Sequence, residues 1–188
     1  MENILFEYYE RIFERKLSLD EKVFIKDSSK YESFKKKQLL FSSGDANTRH
    51  YIVEKGLLRL YIIDPSGKEF NILFARENQV IGDLSTPLPT SFFLEAIEDS
   101  RVFSIDDDQF RKLTDNFSKI TETLKRSYIF LQKRFISILS KTAEENYEEL
   151  IAEYLDLVKR LPQYHISSYL GVTPVFLSQI MAKRAKKK

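Results

Sequence analysis

The stretch Leu161–Arg184, LPQYHISSYLGVTPVFLSQIMAKR, limits the fold more than any other part of the chain. It reads as two short helices joined by a tight turn. Gln163 to Leu170 forms the first, with Ile166, Tyr169 and Leu170 at its apolar positions. Gly171 stands where a helix end needs a left-handed residue, a conformation glycine adopts without a Cβ clash. Thr173 offers an N-cap hydroxyl. Pro174 takes the first helical position, where a backbone N–H would have no intrahelical partner. The second helix runs on from Val175, with Leu177, Ile180 and Met181 spaced for an inward stripe. A helix, a glycine turn and a capped helix make a helix-turn-helix signature, and in DNA readers the second helix enters the major groove.

Charge supports that reading. From Leu157 to Lys188 there are seven Lys or Arg and no Asp or Glu, whereas the whole chain carries only +2. The remainder is therefore about −5 by subtraction. A basic C-terminal unit on a mildly acidic body is the footprint of a phosphate-binding appendage. The competing structural reading is a helical hairpin packed on the body and followed by a solvated lysine tail.

At 188 residues the chain holds one large domain or two small ones. Fifteen Phe and ten Tyr supply core volume. No apolar run reaches the length of a membrane span, and the N-terminus, MENILFEYYERIF, lacks signal-peptide architecture, so a cytoplasmic protein is expected. There is no cysteine, which excludes disulfides, thiolate zinc sites, Cys-ligated iron–sulfur clusters and a cysteine nucleophile. His50 and His165 are the only histidines and have no ligand-spacing pattern, so no metal, cofactor or catalytic residue is assigned. His165 reads as a helix-surface or phosphate-contacting residue. A metalloenzyme built on the β-region would need a His/carboxylate cluster that His50 alone does not supply.

Taken in order, residues 2–16 read as an amphipathic helix with Ile4, Leu5, Tyr8 and Ile12 at helical spacing. Ser18 and Glu21 form a capping box for a second helix through Lys26. Six short β-rich segments follow at 37–41, 50–53, 57–63, 70–74, 92–96 and 101–105, separated by turn signals such as Asp64-Pro65-Ser66-Gly67. This pattern predicts an antiparallel barrel or jelly roll. Asp106–Asp108 supplies N-cap chemistry for a helix through Leu113. From Phe117 to Lys141 no Gly or Pro intervenes, and Ile120, Leu124, Tyr128, Leu131, Phe135 and Ile138 approximate a heptad seam. Such a helix exceeds what a small barrel needs, so part of the seam is expected to face a second subunit. Thr142 and Glu145 make another capping box, opening a helix through Val158.

This order resembles the Crp/Fnr superfamily of bacterial transcription regulators. The resemblance rests on FSSGDANTRHYIVEKGLLRLYIIDPSGKEFNILFARE, on IGDLS at Ile81–Ser85, on EAIEDS at Glu95–Ser100 and on YHISSYLGVTPVFLSQI. The last piece is similar to the family's shorter regulators, which end soon after the recognition helix. The resemblance implies an α+β fold: a cyclic-nucleotide-binding-like β-roll with flanking helices at 1–115, a long dimerisation helix at 116–141 and a helix-turn-helix domain at 142–188. It implies a homodimer on double-stranded DNA with a palindromic operator, its two recognition helices roughly 34 Å apart. A small-molecule effector and RNA polymerase are the further partners such a regulator takes, and a membrane is not among them.

The chain departs from the family in two places. Cyclic-nucleotide binders follow a glycine and an acidic residue with an arginine–serine pair that neutralises the phosphate. Here Gly82, Asp83 and Leu84 open the segment and Ser91 closes it, but Thr90 takes the arginine position. A buried phosphate without a cation is costly. Leu131 and Phe135, at the positions that face the purine, are apolar. Cyclic-nucleotide binding is therefore not expected from the pocket candidates Gly82, Asp83, Leu84, Ser91, Leu131 and Phe135. In the recognition helix, near relatives carry a Glu just after the proline and an Arg four residues later. Val175 and Gln179 occupy those positions here, and Phe176 replaces a small hydroxyl residue. The expected DNA-contacting set is Thr173, Pro174, Val175, Ser178, Gln179, Lys183 and Arg184. The alternative is a regulator-derived protein-interaction module, with Val175 and Phe176 as an exposed apolar patch.

Overall fold

The computed structural model describes residues 2–46, 49–83, 89–106, 108–109, 112 and 119–186, with the side chains of residue 2 and of 119–127 excepted. The chain divides into two compact units, one of residues 1–62 and 73–126, the other of residues 63–72 and 127–188.

The first unit opens with α1 (Glu2–Phe13) and α2 (Leu19–Ser28). α1 stops short of Lys16 because Glu14 takes a left-handed φ of 50°. Its inward face is Leu5, Tyr8, Tyr9 and Phe13, with Ile4 and Ile12 only half-buried, so the apolar stripe is rotated from the one the spacing predicts. The capping box on α2 forms as expected: Ser18 Oγ accepts the Glu21 N–H at 3.2 Å, and Glu21 Oε2 accepts the Ser18 N–H at 2.8 Å.

Among the described residues eight strands follow: β1 (Ser29–Phe34), β2 (Leu39–Phe41), β3 (Arg49–Lys55), β4 (Leu58–Ile63), β5 (Glu69–Ala75), β6 (Val80–Ile81), β7 (Phe93–Ala96) and β8 (Ser100–Asp106). They form two four-stranded sheets, ordered β1-β8-β3-β6 and β2-β7-β4-β5. Six of the eight match the predicted segments. The two that the pattern misses are β6, of two residues, and β1, whose sequence SKYESF has no apolar run and which lies at a sheet edge, paired from Ser29↔Ile105 to Phe34↔Ser100.

The period-two alternation of a strand explains how β3 and β8 serve two cores at once. Tyr51, Val53 and Val102 join Phe41, Leu58, Leu60 and Leu94 inside the roll. Their neighbours Ile52, Phe103 and Ile105 pack against α1 and α2 on the outer side. Gly56 links β3 to β4 at a φ of +106°, and a Cβ there would lie 2.2 Å from Ser100 Oγ, so no other residue fits without movement.

The second unit is helical apart from residues 63–72. α3 (Lys119–Ser140) is the long helix, followed by α4 (Ala143–Arg160), α5 (Gln163–Leu170) and α6 (Pro174–Lys186). The Thr142–Glu145 capping box opens α4, with Thr142 Oγ1 accepting the Glu145 N–H at 3.3 Å. Asn146 ties α4 to the end of α3 by donating to the Ser137 carbonyl at 3.3 Å. α4 kinks at Tyr154, whose backbone leaves the helical region. Tyr147, Leu150, Leu161, Ile166, Leu177 and Ile180 are the buried apolar residues of α4 to α6 and the turn before α5. The helix expected to end at Leu113 lies largely outside the described residues. Among the described residues no helix is long and apolar enough to cross a membrane, and no group of three or more His, Asp or Glu is placed to hold a metal ion.

Candidate nucleic-acid interface

α5 ends at Gly171, whose φ of 72° and ψ of 21° place it in the left-handed region the turn requires. Its N–H returns to the Ser168 carbonyl at 3.3 Å, and the Val172 N–H reaches the Ser167 carbonyl at 3.0 Å. Thr173 then caps α6, its Oγ1 accepting the Phe176 N–H at 3.2 Å. Pro174 begins the helix. Leu177 and Ile180 are buried and Met181 is half-buried, so the inward stripe falls where the spacing puts it.

The opposite face of α6 is open. Val175 is 70% exposed and Phe176 47%, and Ser178, Gln179, Ala182 and Lys183 are exposed with them. At about 100° per residue, Val175, Gln179, Ala182 and Lys186 form one straight outward stripe, with Phe176 and Lys183 along one flank and Ser178 along the other. Neither α5 nor α6 contains an acidic residue, and the cations of α6 are confined to its last turn.

Two of those cations have partners on α4. Lys183 Nζ lies 2.7 Å from Glu144 Oε2, and Arg184 Nε lies 2.9 Å from Glu148 Oε2. The glutamates are one helical turn apart, which sets them side by side for the consecutive Lys183 and Arg184. Sequence reading places these cations on phosphate and overlooks the pairing, because it spans almost forty residues.

His165 corrects one expectation. It is only 3% exposed, not on the helix surface. Its carbonyl accepts the Asn71 side-chain amide at 3.1 Å, and its ring Nδ1 lies 3.4 Å from Asn71 Nδ2. Tyr164 packs against the ring at 4.1 Å between centroids. Ser168 Oγ donates to the Glu69 carbonyl at 2.7 Å and accepts the Asn71 N–H at 3.0 Å. Arg134 of α3 donates to the Tyr169 carbonyl at 2.7 Å, and its guanidinium lies 3.5 Å above the Tyr169 ring. Burial pulls the Arg134 pKa below its ordinary value and pushes that of Tyr169 up. α5 is thus held from two sides within this unit.

The α3 residues Tyr128, Leu131, Phe135 and Ile138 are exposed, at 50% or more each. Ile129, Ile136 and Leu139, absent from the predicted seam, widen the same apolar surface. Ile120 and Leu124 lie among the residues whose side chains are not described.

Of the effector-pocket candidates, Leu84 lies outside the described residues. Gly82 follows β6, and a Cβ there would meet the Arg49 carbonyl at 2.7 Å. Asp83 is buried and accepts a short hydrogen bond from Thr90 Oγ1, which also accepts the Phe92 N–H at 3.1 Å. Ser91 is exposed. A cleft of about 410 Å³ opens elsewhere in the first unit, between residues of β1, β2 and β3 that include Glu32, Phe41, Arg49 and Tyr51. Arg49 is occupied there, donating to Ser104 Oγ at 2.7 Å and lying 3.0 Å from Asp106 Oδ1. Burial pushes the Tyr51 hydroxyl up to about 12. Among the described residues, none of the predicted pocket lines this cleft.

Residues 31–117 match the cyclic nucleotide-binding domain family. The regulatory protein HlyX of Actinobacillus pleuropneumoniae is 26% identical, over 80% of this chain and 70% of that protein. The structure of FixK2 from Bradyrhizobium japonicum superposes with a TM-score of 0.69 at 19% identity, covering 85% of each chain. A CooA mutant from Carboxydothermus hydrogenoformans also gives 0.69, at 18% identity, over 88% of this chain and 79% of that one. These structural likenesses establish the fold.

Proposed function

We propose that this chain, a Crp/Fnr-type regulator homologue whose residues 31–117 match the cyclic nucleotide-binding domain family, is a transcription regulator that binds double-stranded DNA through α6. One observation carries the reading. The left-handed Gly171 and the Thr173 cap present the first two turns of α6 outward, on a pair of helices without a carboxylate. Thr173, Pro174, Val175, Ser178 and Gln179 are the residues that meet DNA first. Lys183 and Arg184 reach phosphate only by leaving Glu144 and Glu148. The protein acts by binding, as a regulator, and not by catalysis.

The chain works as a homodimer joined along α3. The exposed apolar stripe supports this, since an unpaired face of that width on one helix is unusual in a monomer. A two-fold dimer matches a palindromic operator. The functional division is a β-roll at 1–115, a connecting helix at 116–141 and a DNA-binding part at 142–188. The β-roll does not take a cyclic nucleotide: Asp83 and Thr90 satisfy each other, and no arginine stands beside Ser91.

Titration of labelled duplex with the protein at several salt concentrations tests the proposal. Binding whose logarithm falls linearly with log salt, and which prefers some sequences, is the expected result. Absent or sequence-indifferent binding favours the runner-up, an interaction module that has left specific DNA.

A further inference from the structure

We infer that the outward stripe of α6 selects A·T pairs, with Gln179 reading adenine and Val175 and Ala182 packing on thymine methyl groups. The inference rests on the proposed binding of DNA and names the sequence class that binding selects. Major-groove edges differ in what they offer. Guanine presents two acceptors, best met by Arg or Lys, while adenine presents one acceptor and one donor, which a carboxamide matches in both directions; thymine alone adds a methyl group. The nine residues from Pro174 to Ala182 contain no Arg, Lys, Asp or Glu, so that part of the helix has no forked cation for guanine and no carboxylate for the cytosine amino group.

Gln179 is the only side chain on the outward stripe that both donates and accepts. It lies one turn from Val175 and three residues before Ala182, so two apolar groups bracket it on the same line. The cations that would draw α6 toward guanine stand beyond this segment, and Lys183 and Arg184 are turned to Glu144 and Glu148. The hydroxyls of Thr173 and Ser178 stand off this stripe, Thr173 Oγ1 accepting the Phe176 N–H and Ser178 Oγ donating to the Pro174 carbonyl at 3.0 Å. That leaves base discrimination to Gln179 and the two apolar residues.

The test begins with selection from a randomised duplex by the wild-type protein. The affinity of the enriched duplex is then measured with each half-site thymine replaced by deoxyuridine, which removes only the methyl group. An A·T-rich half-site is expected, with about a fourfold loss for each contacted methyl. Val175→Ala should lose less on the deoxyuridine duplex than the wild type does. Gln179→Ala should relax the preference at one adenine, at a cost of roughly 5- to 150-fold on the best site. Both residues are exposed, so neither variant threatens the fold. A guanine-led half-site, deoxyuridine without effect, or a preference unchanged in Gln179→Ala overturns the inference while leaving DNA binding intact. No enrichment at all removes the proposed function and this inference with it.

Discussion

Asn71 meets His165 at two points, donating its side-chain amide to the His165 carbonyl at 3.1 Å and lying 3.4 Å from the ring nitrogen Nδ1. Both residues are buried. Next to them Ser168 Oγ bridges the Glu69 carbonyl and the Asn71 N–H. The first helix of the helix-turn-helix is therefore held by side chains that sequence reading assigned to other roles or passed over.

Ser168→Ala removes a donor and an acceptor in one step and leaves the Asn71 N–H and the Glu69 carbonyl without that partner. The expected cost is about 1–3 kcal/mol, because buried groups stripped of a partner keep their desolvation penalty. Urea unfolding measures the loss, and amide exchange locates it: the Asn71 amide should exchange faster in the variant. An unchanged exchange rate there would contradict the bridge.

Glu144 and Glu148 hold Lys183 and Arg184, the first two cations along α6. Exchanging both for glutamine keeps size and shape and frees Lys183 and Arg184 for phosphate. Exposed pairs of this kind contribute about 0–1 kcal/mol each, so stability should change little. Affinity for an arbitrary duplex should rise, and the slope of log affinity against log salt should steepen by roughly 0.9 for each new phosphate contact. Equal slopes in variant and wild type would show that these cations do not reach phosphate. A steeper slope in the variant would show that Glu144 and Glu148 hold down the non-specific affinity of the wild type.

The contrast between these residues and their neighbours marks what could be read from sequence. The bounds of α5, the left-handed Gly171, the Thr173 cap and both capping boxes were legible because each depends on residues within four positions of one another. The roll was legible from its alternation and its turns. β1 was not, since its polar sequence gains strand structure only by pairing with β8, some seventy residues away. The fate of His165, Lys183 and Arg184 was hidden for the same reason: Asn71, Glu144 and Glu148 reach them through the fold and not along the chain.

Glu21 gives a pH-dependent handle on the first unit. Arg15 forks onto its two carboxylate oxygens, at 2.5 and 2.9 Å, and the Ser18 N–H adds a third bond. The Arg15 hydrogen bonds, ahead of those from Ser18, pull the carboxyl from 4.5 down to about 2. A folded pKa below the unfolded one means that the contribution is complete above the unfolded value and is lost as pH falls through the folded one. Stability should therefore decline between about pH 4.5 and about pH 2 in part through this residue. Glu21→Gln should flatten that limb of the unfolding free energy against pH. A limb identical to that of the wild type would rule out this assignment.

The last prediction concerns α3. Leu131 and Phe135 are 50% and 64% exposed, one turn apart on the stripe that also carries Tyr128, Ile138 and Leu139. Such side chains have little left to lose within their own chain, so Leu131→Glu or Phe135→Glu should leave the fold of a single chain intact. Across a two-fold axis each glutamate is placed twice against an apolar surface, where an unpaired charge is costly. Sedimentation should then show a monomer with an unchanged circular dichroism spectrum. Affinity for a two-half-site duplex should fall toward that for a single half-site, since the second contact is no longer intramolecular. A folded variant that sediments as a dimer would exclude α3 as the subunit interface, and the apolar stripe would need another occupant.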